Sequence, residues 1–115
     1  MNYRFGIRVY YEDTDAAGIV YYANYFRFME RARTEWLRSL GYEQDDLRRE
    51  HGLVFVVRHV EADYLDPARF NDQLWVTCEL IEHGRSALTM AQNVHRQEDD
   101  RLLCRGQVRL VCIDI

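Results

Sequence analysis

The sequence predicts an α+β fold, a five-stranded antiparallel sheet wrapped against one long central helix, and three observations point to it. Apolar residues keep helical spacing over one long stretch, from Tyr25 to Leu40. After Gly52 the apolar period changes to two. A chain of 115 residues is long enough for one buried core and too short for two. One domain over residues 1–115 is therefore expected.

The first element is a strand over YRFGIRVYY, residues 3–11. The helix comes after the loop that carries Gly18 and Asn24: Tyr25, Phe28, Met29, Ala32, Trp36, Leu37 and Leu40 recur at steps of three and four, which makes one buried stripe. Gly41 supplies a left-handed stop. A shorter helical piece is expected in EQDDLRREH from Glu43. LVFVVRHVEADY, QLWVTCELIEH, SALTMAQNVHRQ and RLLCRGQVRLVCID then read as four antiparallel strands, separated by DPARFND, HGR and QEDD. Pro67, the only proline, falls in a connection, where its missing N–H costs no ladder bond. One helix covers one face of such a sheet, so Trp75, Ile81, Val111 and Ile113 either partly cover the other face or mark a surface where two chains meet. Bare strand edges also call for pairing, and dimerisation satisfies both needs.

Composition excludes several classes. Nineteen acidic against fifteen basic residues give a net charge of −4, which argues against an extended nucleic-acid partner. Every basic residue is arginine, so a local site for a small phosphorylated ligand stays open. Cys78, Cys104 and Cys112 sit in apolar runs without dithiol or zinc spacing and read as buried thiols of a reducing compartment. His51, His59, His83 and His95 fit no short metal-ligand spacing, so no metal is expected. MNYRFGIRVYYED lacks a signal-peptide core and no apolar run reaches membrane-spanning length, so a cytoplasmic protein is expected.

The chemistry concentrates in YEDTDAAGIVYYANY, residues 11–25. An aspartate in such a turn either caps local amides or acts as base or nucleophile. The helix start just beyond Asp15 favours the second role. Tyr22 lies near that start, where the first backbone N–H groups lack internal acceptors and carry partial positive charge. If Asp15 and the amide near Tyr22 face one slot, the pair suits hydrolysis of a carbonyl compound. Gly18 allows close backbone approach, and Ile19, Val20 and Tyr21 line the slot. Asp13 is assigned to the turn and Glu12 to the surface. Glu30, flanked by Arg31 and Arg33, fits an ion-paired helical residue better than a second catalytic carboxylate.

RVYYEDTDAAGIVYYANY, residues 8–25, resembles the signature of the 4-hydroxybenzoyl-CoA thioesterase-like, hotdog-fold family. FMERARTEWLRSLG resembles that family's central helix, and the similarity continues through FVVRHVEADYLDPARFNDQL to RLVCID. It is closest to the Tol-Pal-associated acyl-CoA thioesterase branch. The resemblance implies a hotdog fold, a homodimer or homotetramer, and hydrolysis of acyl-CoA thioesters without a metal or other cofactor. It places the catalytic aspartate on Asp15 and the oxyanion-binding amide at Tyr22. The Tol-Pal branch usually carries histidine at the latter position; tyrosine, as in the hydroxybenzoyl branch, leaves the backbone role intact and removes any histidine proton shuttle. Coenzyme A needs partners for its phosphates, and Arg85 and Ser86 in HGRS and Arg58 in FVVR are the candidates. Acyl carrier protein is the other carrier to weigh. Two rival functions remain on the same fold: a non-enzymatic module that binds acyl thioesters or a protein partner, and a dehydratase, which the absence of histidine from the helix disfavours.

Overall fold

In the computed structural model, which describes residues 2–115, the chain runs β1 (Asn2–Arg8), a 3-10 turn (Tyr11–Asp13), α1 (Asn24–Ser39), α2 (Gln44–His51), β2 (Leu53–Tyr64), β3 (Gln73–His83), β4 (Ala87–Arg96) and β5 (Leu102–Asp114). The strands form one antiparallel sheet of five, as expected from the sequence, in the order β1-β3-β4-β5-β2. Each of the four later strands forms within a residue or so of its expected bounds, because alternation is a local property that survives folding.

Helix α1 lies on the sheet with Tyr25, Phe28, Met29, Ala32 and Trp36 buried against Leu74, Val76, Met90, Val94 and Val108. Two features set how closely it approaches. At Gly106 of β5, an added Cβ would stand 2.7 Å from the Met29 methyl carbon and 3.0 Å from the Gln92 carbonyl oxygen, so any side chain there would push the end of Met29 aside and crowd the β4 backbone. The fully buried Gln92 of β4 pins the helix from below. Its Nε2 donates to the Met29 carbonyl at 2.9 Å and to Cys78 Sγ at 3.2 Å, and its Oε1 accepts from Arg33 Nη1 at 2.9 Å. Cys78 and Cys104 are buried, and burial pushes each thiol up to about 11; Cys112 is half-buried.

Three expectations need correction. The first strand ends at Arg8, short of Tyr11. Val9 leaves the ladder to bond Asp72 and Asn71, and the Asp13 carboxylate draws the chain into the 3-10 turn by accepting the Tyr10 N–H at 2.9 Å. Leu40 is exposed, because α1 closes at Ser39 and the chain turns away through Gly41 at φ +93°. Glu30 makes no ion pair among the described residues; it accepts from Thr34 Oγ1 at 3.0 Å. On the outer face Trp75 is half-buried under the Arg4 guanidinium, 4.0 Å from the ring centre, while Ile81 and Ile113 stay exposed.

Strand β2 is an edge with an unusual inner side. Val57, Val60 and Tyr64 stand across from the buried Leu110, Val108 and Cys104, and so share their face of the sheet. On β5 those partners are covered, whereas Val57, Val60 and Tyr64 are 45%, 38% and 46% exposed. The far edge of β2 pairs with no strand among the described residues.

Candidate active site

The segment between β1 and α1 folds as a tight hairpin held at both ends. Thr14 bridges Val20, the Asp15 N–H donates to the Ile19 carbonyl at 2.9 Å, and the Gly18 N–H donates to the Asp15 carbonyl at 3.0 Å. Gly18 takes φ +79°, a conformation that L side chains rarely adopt, which is its reason for being here. The Val20 N–H reaches the Ala68 carbonyl at 2.9 Å and Ile19 bridges Arg69, so the 66–72 connection anchors the hairpin from outside.

Asp15 is exposed in this hairpin. Its Oδ1 accepts the Ala17 N–H at 2.8 Å, and Oδ2 has no partner among the described residues. Asp13, two residues earlier, is buried and committed to structure: its Oδ2 holds the Tyr10 N–H, and its carbonyl accepts both the Tyr21 N–H and Asn24 Nδ2 at 2.9 Å. The turn role read for Asp13 in the sequence agrees with these bonds.

Tyr22 sits two residues before α1. The carbonyl of the preceding peptide accepts the Asn24 N–H at 2.8 Å, which fixes the peptide plane, and the N–H of that same peptide, on Tyr22, has no acceptor among the described residues. A donor is thus oriented and left free. The Tyr21 phenol is held above its ordinary value, first by the Tyr22 phenol beside it and also by the charge of Asp15, which puts the carboxylate in electrostatic reach of this tyrosine pair.

Beside Tyr22 a largely apolar groove of about 260 Å³ opens between Ile19, Val20, Tyr22, Tyr25, Tyr64 and Pro67. Gly18, Asp15 and Tyr21 adjoin it along the chain without forming its walls. Tyr25 is buried, its hydroxyl accepting the Ala68 N–H at 3.1 Å, and burial raises its phenol. Tyr64 Oη donates to the Tyr22 carbonyl at 3.2 Å. Sequence reasoning misses Asn24, Tyr25 and Tyr64 as site residues. Asn24 offers one signal, a polar residue where the helix begins, but its partner, the carbonyl of Asp13, is invisible in a one-dimensional pattern.

The three phosphate candidates do not gather around Asp15 within one chain. Arg85 and Ser86 lie in the exposed β3–β4 turn, next to Ala87, which pairs with Val111 at the end of the sheet where β2 begins. Asp15 and Tyr22 sit at the other end, where β2 finishes at Tyr64. Ser86 is level with Cys112 and so with Phe55, nine residue steps along β2 from Tyr64, or roughly 30 Å. Arg58 is exposed midway, at a bulge between Val57 and His59.

Comparison with known proteins fixes the class. The family model described as the thioesterase-like superfamily matches residues 9–115, and the chain belongs to that superfamily. It is 41% identical over 113 residues to the acyl-CoA thioesterase YbgC of Haemophilus influenzae, a match covering 98% of this chain and 82% of that protein. It is 42% identical over 112 residues to the acyl-CoA thioester hydrolase YbgC of Escherichia coli O157:H7, covering 97% and 82%. Among solved structures, a probable thioesterase from Bartonella henselae superposes with a TM-score of 0.92 at 32% identity, covering 99% of this chain and 93% of that one. The expectation of a hotdog-fold thioester hydrolase is borne out.

Proposed function

We propose that the chain hydrolyses an acyl-CoA thioester to a carboxylic acid and free coenzyme A, using Asp15 as nucleophile or general base and the Tyr22 N–H as oxyanion donor. The observation that carries this reading is the pairing of an oriented backbone donor without an acceptor and a carboxylate oxygen without a partner, at the two ends of one short hairpin. Its relationship to the YbgC thioesterases supports the reaction class.

In the direct route, Asp15 attacks the thioester carbonyl carbon. The C–S bond breaks, the thiolate leaves and takes a proton from solvent, and water then cleaves the mixed anhydride. In the base route, Asp15 removes a proton from the attacking water, and the tetrahedral oxyanion collapses with loss of the same thiolate. Both routes place negative charge on the former carbonyl oxygen. That is where a fixed N–H, which needs no reorganisation, lowers the barrier most.

The working unit in this proposal is a homodimer in which two β2 edges pair antiparallel about a two-fold axis. The unpaired edge and the bare Val57, Val60 and Tyr64 support it, since both are sealed by a second copy. Antiparallel pairing also lays the start of one β2 beside the end of the other. It thereby carries Arg85 and Ser86 of one subunit toward Asp15 of its mate, where two exposed polar groups suit coenzyme A phosphates.

The test is thiol release from short-, long- and aromatic-acyl coenzyme A by the wild type and by Asp15→Asn. A loss of about 10³-fold or more in kcat is expected, in line with removal of a reacting group, with the melting temperature within ~2 °C because the exposed carboxylate makes only one local bond. Wild-type rates in the variant across the whole panel would end this proposal.

A further inference from the structure

A second cavity, of about 160 Å³, lies away from the hairpin, between the middle of α1, the start of α2 and the inner faces of β2, β4 and β5. Phe55, Val57, Leu88, Met90 and Leu110 form its apolar walls. An apolar cavity of about 150 Å³ holds a benzene molecule, so this one suits a body of five or six heavy atoms.

Its polar lining is lopsided. Thr34 donates to Glu30 Oε2 at 3.0 Å and accepts from Gln44 Nε2 at 3.2 Å, which occupies that hydroxyl on both sides. Two donors are left over. Trp36 is 6% exposed, and its buried Nε1–H has no acceptor among the described residues. Arg33 is half-buried, spends one N–H on Gln92 Oε1, and has no carboxylate within ion-pair distance among the described residues. Burial lowers the Arg33 pKa as its first effect, the expected cost of a cation drawn out of water without a directly paired carboxylate. Glu30, which also lines the cavity, opposes this as the second effect but forms no ion pair with Arg33: it is exposed, screened by solvent and engaged by Thr34. A buried indole N–H without an acceptor, beside a half-buried guanidinium without an ion pair, suits an oxygen ligand that is itself anionic.

We propose that this cavity receives the far end of the acyl group being cleaved on the partner subunit, and that it selects a short acyl tail ending in a carboxylate, the monothioester of a dicarboxylic acid. The inference rests on the proposed hydrolase activity and the proposed dimer. Pairing of the β2 edges sets Phe55 and Val57 of one chain beside the Tyr64 end of the other, so the thioester lies at one subunit's hairpin and the tail enters the other's cavity. The apolar walls take the methylene groups; Arg33 and Trp36 take the carboxylate.

The experiment compares kcat/KM for glutaryl-CoA and pentanoyl-CoA, which have tails of equal chain length with and without the terminal carboxylate. The wild type is expected to prefer glutaryl-CoA by about tenfold or more, since a site with buried donors rejects a tail that leaves them unpaired. Arg33→Gln and Trp36→Phe should each collapse that ratio toward one, and the second variant keeps the test alive if the first does not fold. A wild-type preference for pentanoyl-CoA, or a ratio unmoved by both variants, overturns the proposal. If no thioester of the wider acyl panel is cleaved either, the hydrolase reading fails; whenever these two are not cleaved, titration calorimetry with free glutarate and pentanoate decides the cavity on its own. Tighter binding of glutarate that Trp36→Phe abolishes supports the site; equal or absent binding of the two acids overturns it.

Discussion

Gln92 and Asp15 are both polar side chains at the centre of their regions, and the protein treats them oppositely. Gln92 is fully buried beneath α1 and uses its amide on three partners: the Met29 carbonyl, the Cys78 thiol and the Arg33 guanidinium. Asp15 is exposed and uses one oxygen on one neighbouring amide. A polar group that completes its bonds inside the chain can only stabilise; one held in place by its backbone and left unbonded is available to a ligand. The same division separates Asp13 from Asp15 across two residues of sequence, and it separates β4, covered on its inner face, from β2, bare on its inner face.

The hardest blow to the bonded region falls at Gly106. A leucine there would drive its Cβ into the Met29 methyl and against the Gln92 carbonyl, and the rest of its side chain would compete for the space that Met29 fills between α1 and β5. Overpacking of this kind costs about 1–3 kcal/mol even when neighbours yield, and here one of the two neighbours is backbone. Gly106→Leu is expected to lower the urea midpoint by an amount equivalent to at least ~3 kcal/mol or to prevent folding, whereas Asp15→Asn leaves it unchanged. An equal midpoint for Gly106→Leu and wild type would show that the helix is free to shift and that the two regions differ less than their bonding implies.

Asn24 stands on the border between the two regions and so sharpens the comparison. Its side chain ties α1 to the Asp13 carbonyl and its own N–H fixes the peptide that presents the Tyr22 donor. Asn24→Ala keeps the backbone bond and deletes the side-chain tie. The expected result is a loss of about 1–2 kcal/mol in stability from the broken buried hydrogen bond, with kcat falling roughly tenfold and KM little changed as the Tyr22 peptide loosens. Steady-state kinetics beside a denaturation curve check both halves. A stability loss with full kcat would confine Asn24 to the bonded region.

Most of the fold was legible in the sequence and the site was legible only in part, for a physical reason. Helical and strand periodicity are set by residues a few positions apart, so the α1 stripe and the four later strands can be read from one dimension. The misreading at Tyr11 occurs where long-range bonds override the pattern, the Val9 bonds to the 71–72 connection; that at Leu40 occurs where the local turn through Gly41 ends α1 one residue before the stripe does. Asp15, Gly18 and Tyr22 lie within one hairpin and share a local signal. Arg85 and Ser86 do not: only the strand order β1-β3-β4-β5-β2 reveals that they stand at the opposite end of the sheet from Asp15. Gln92 gave no signal at all, since a glutamine in an alternating strand looks the same whether it meets water or the underside of a helix.

The smallest effect tests the bonded region through its thiols. Desolvation raises Cys78 to about 11, against an ordinary value of 9.0, while its bond from Gln92 and the nearby Arg33 charge pull the other way; Cys104 is raised to about 11 by burial first and by Asp63 second. A thiol raised on folding favours the folded state while it is protonated. Its contribution is therefore fully present below pH 9, where the unfolded thiol is also neutral, and is lost as pH climbs through 11. Each thiol accounts for at most about 2–3 kcal/mol across that window. Stability measured by urea denaturation should fall between pH 9 and pH 11 more steeply in the wild type than in a Cys78→Ala/Cys104→Ala double variant, whatever the two proteins' absolute stabilities. Parallel slopes would mean that these thiols meet water in the folded state, and the region around Gln92 would then be no better sealed than the hairpin around Asp15.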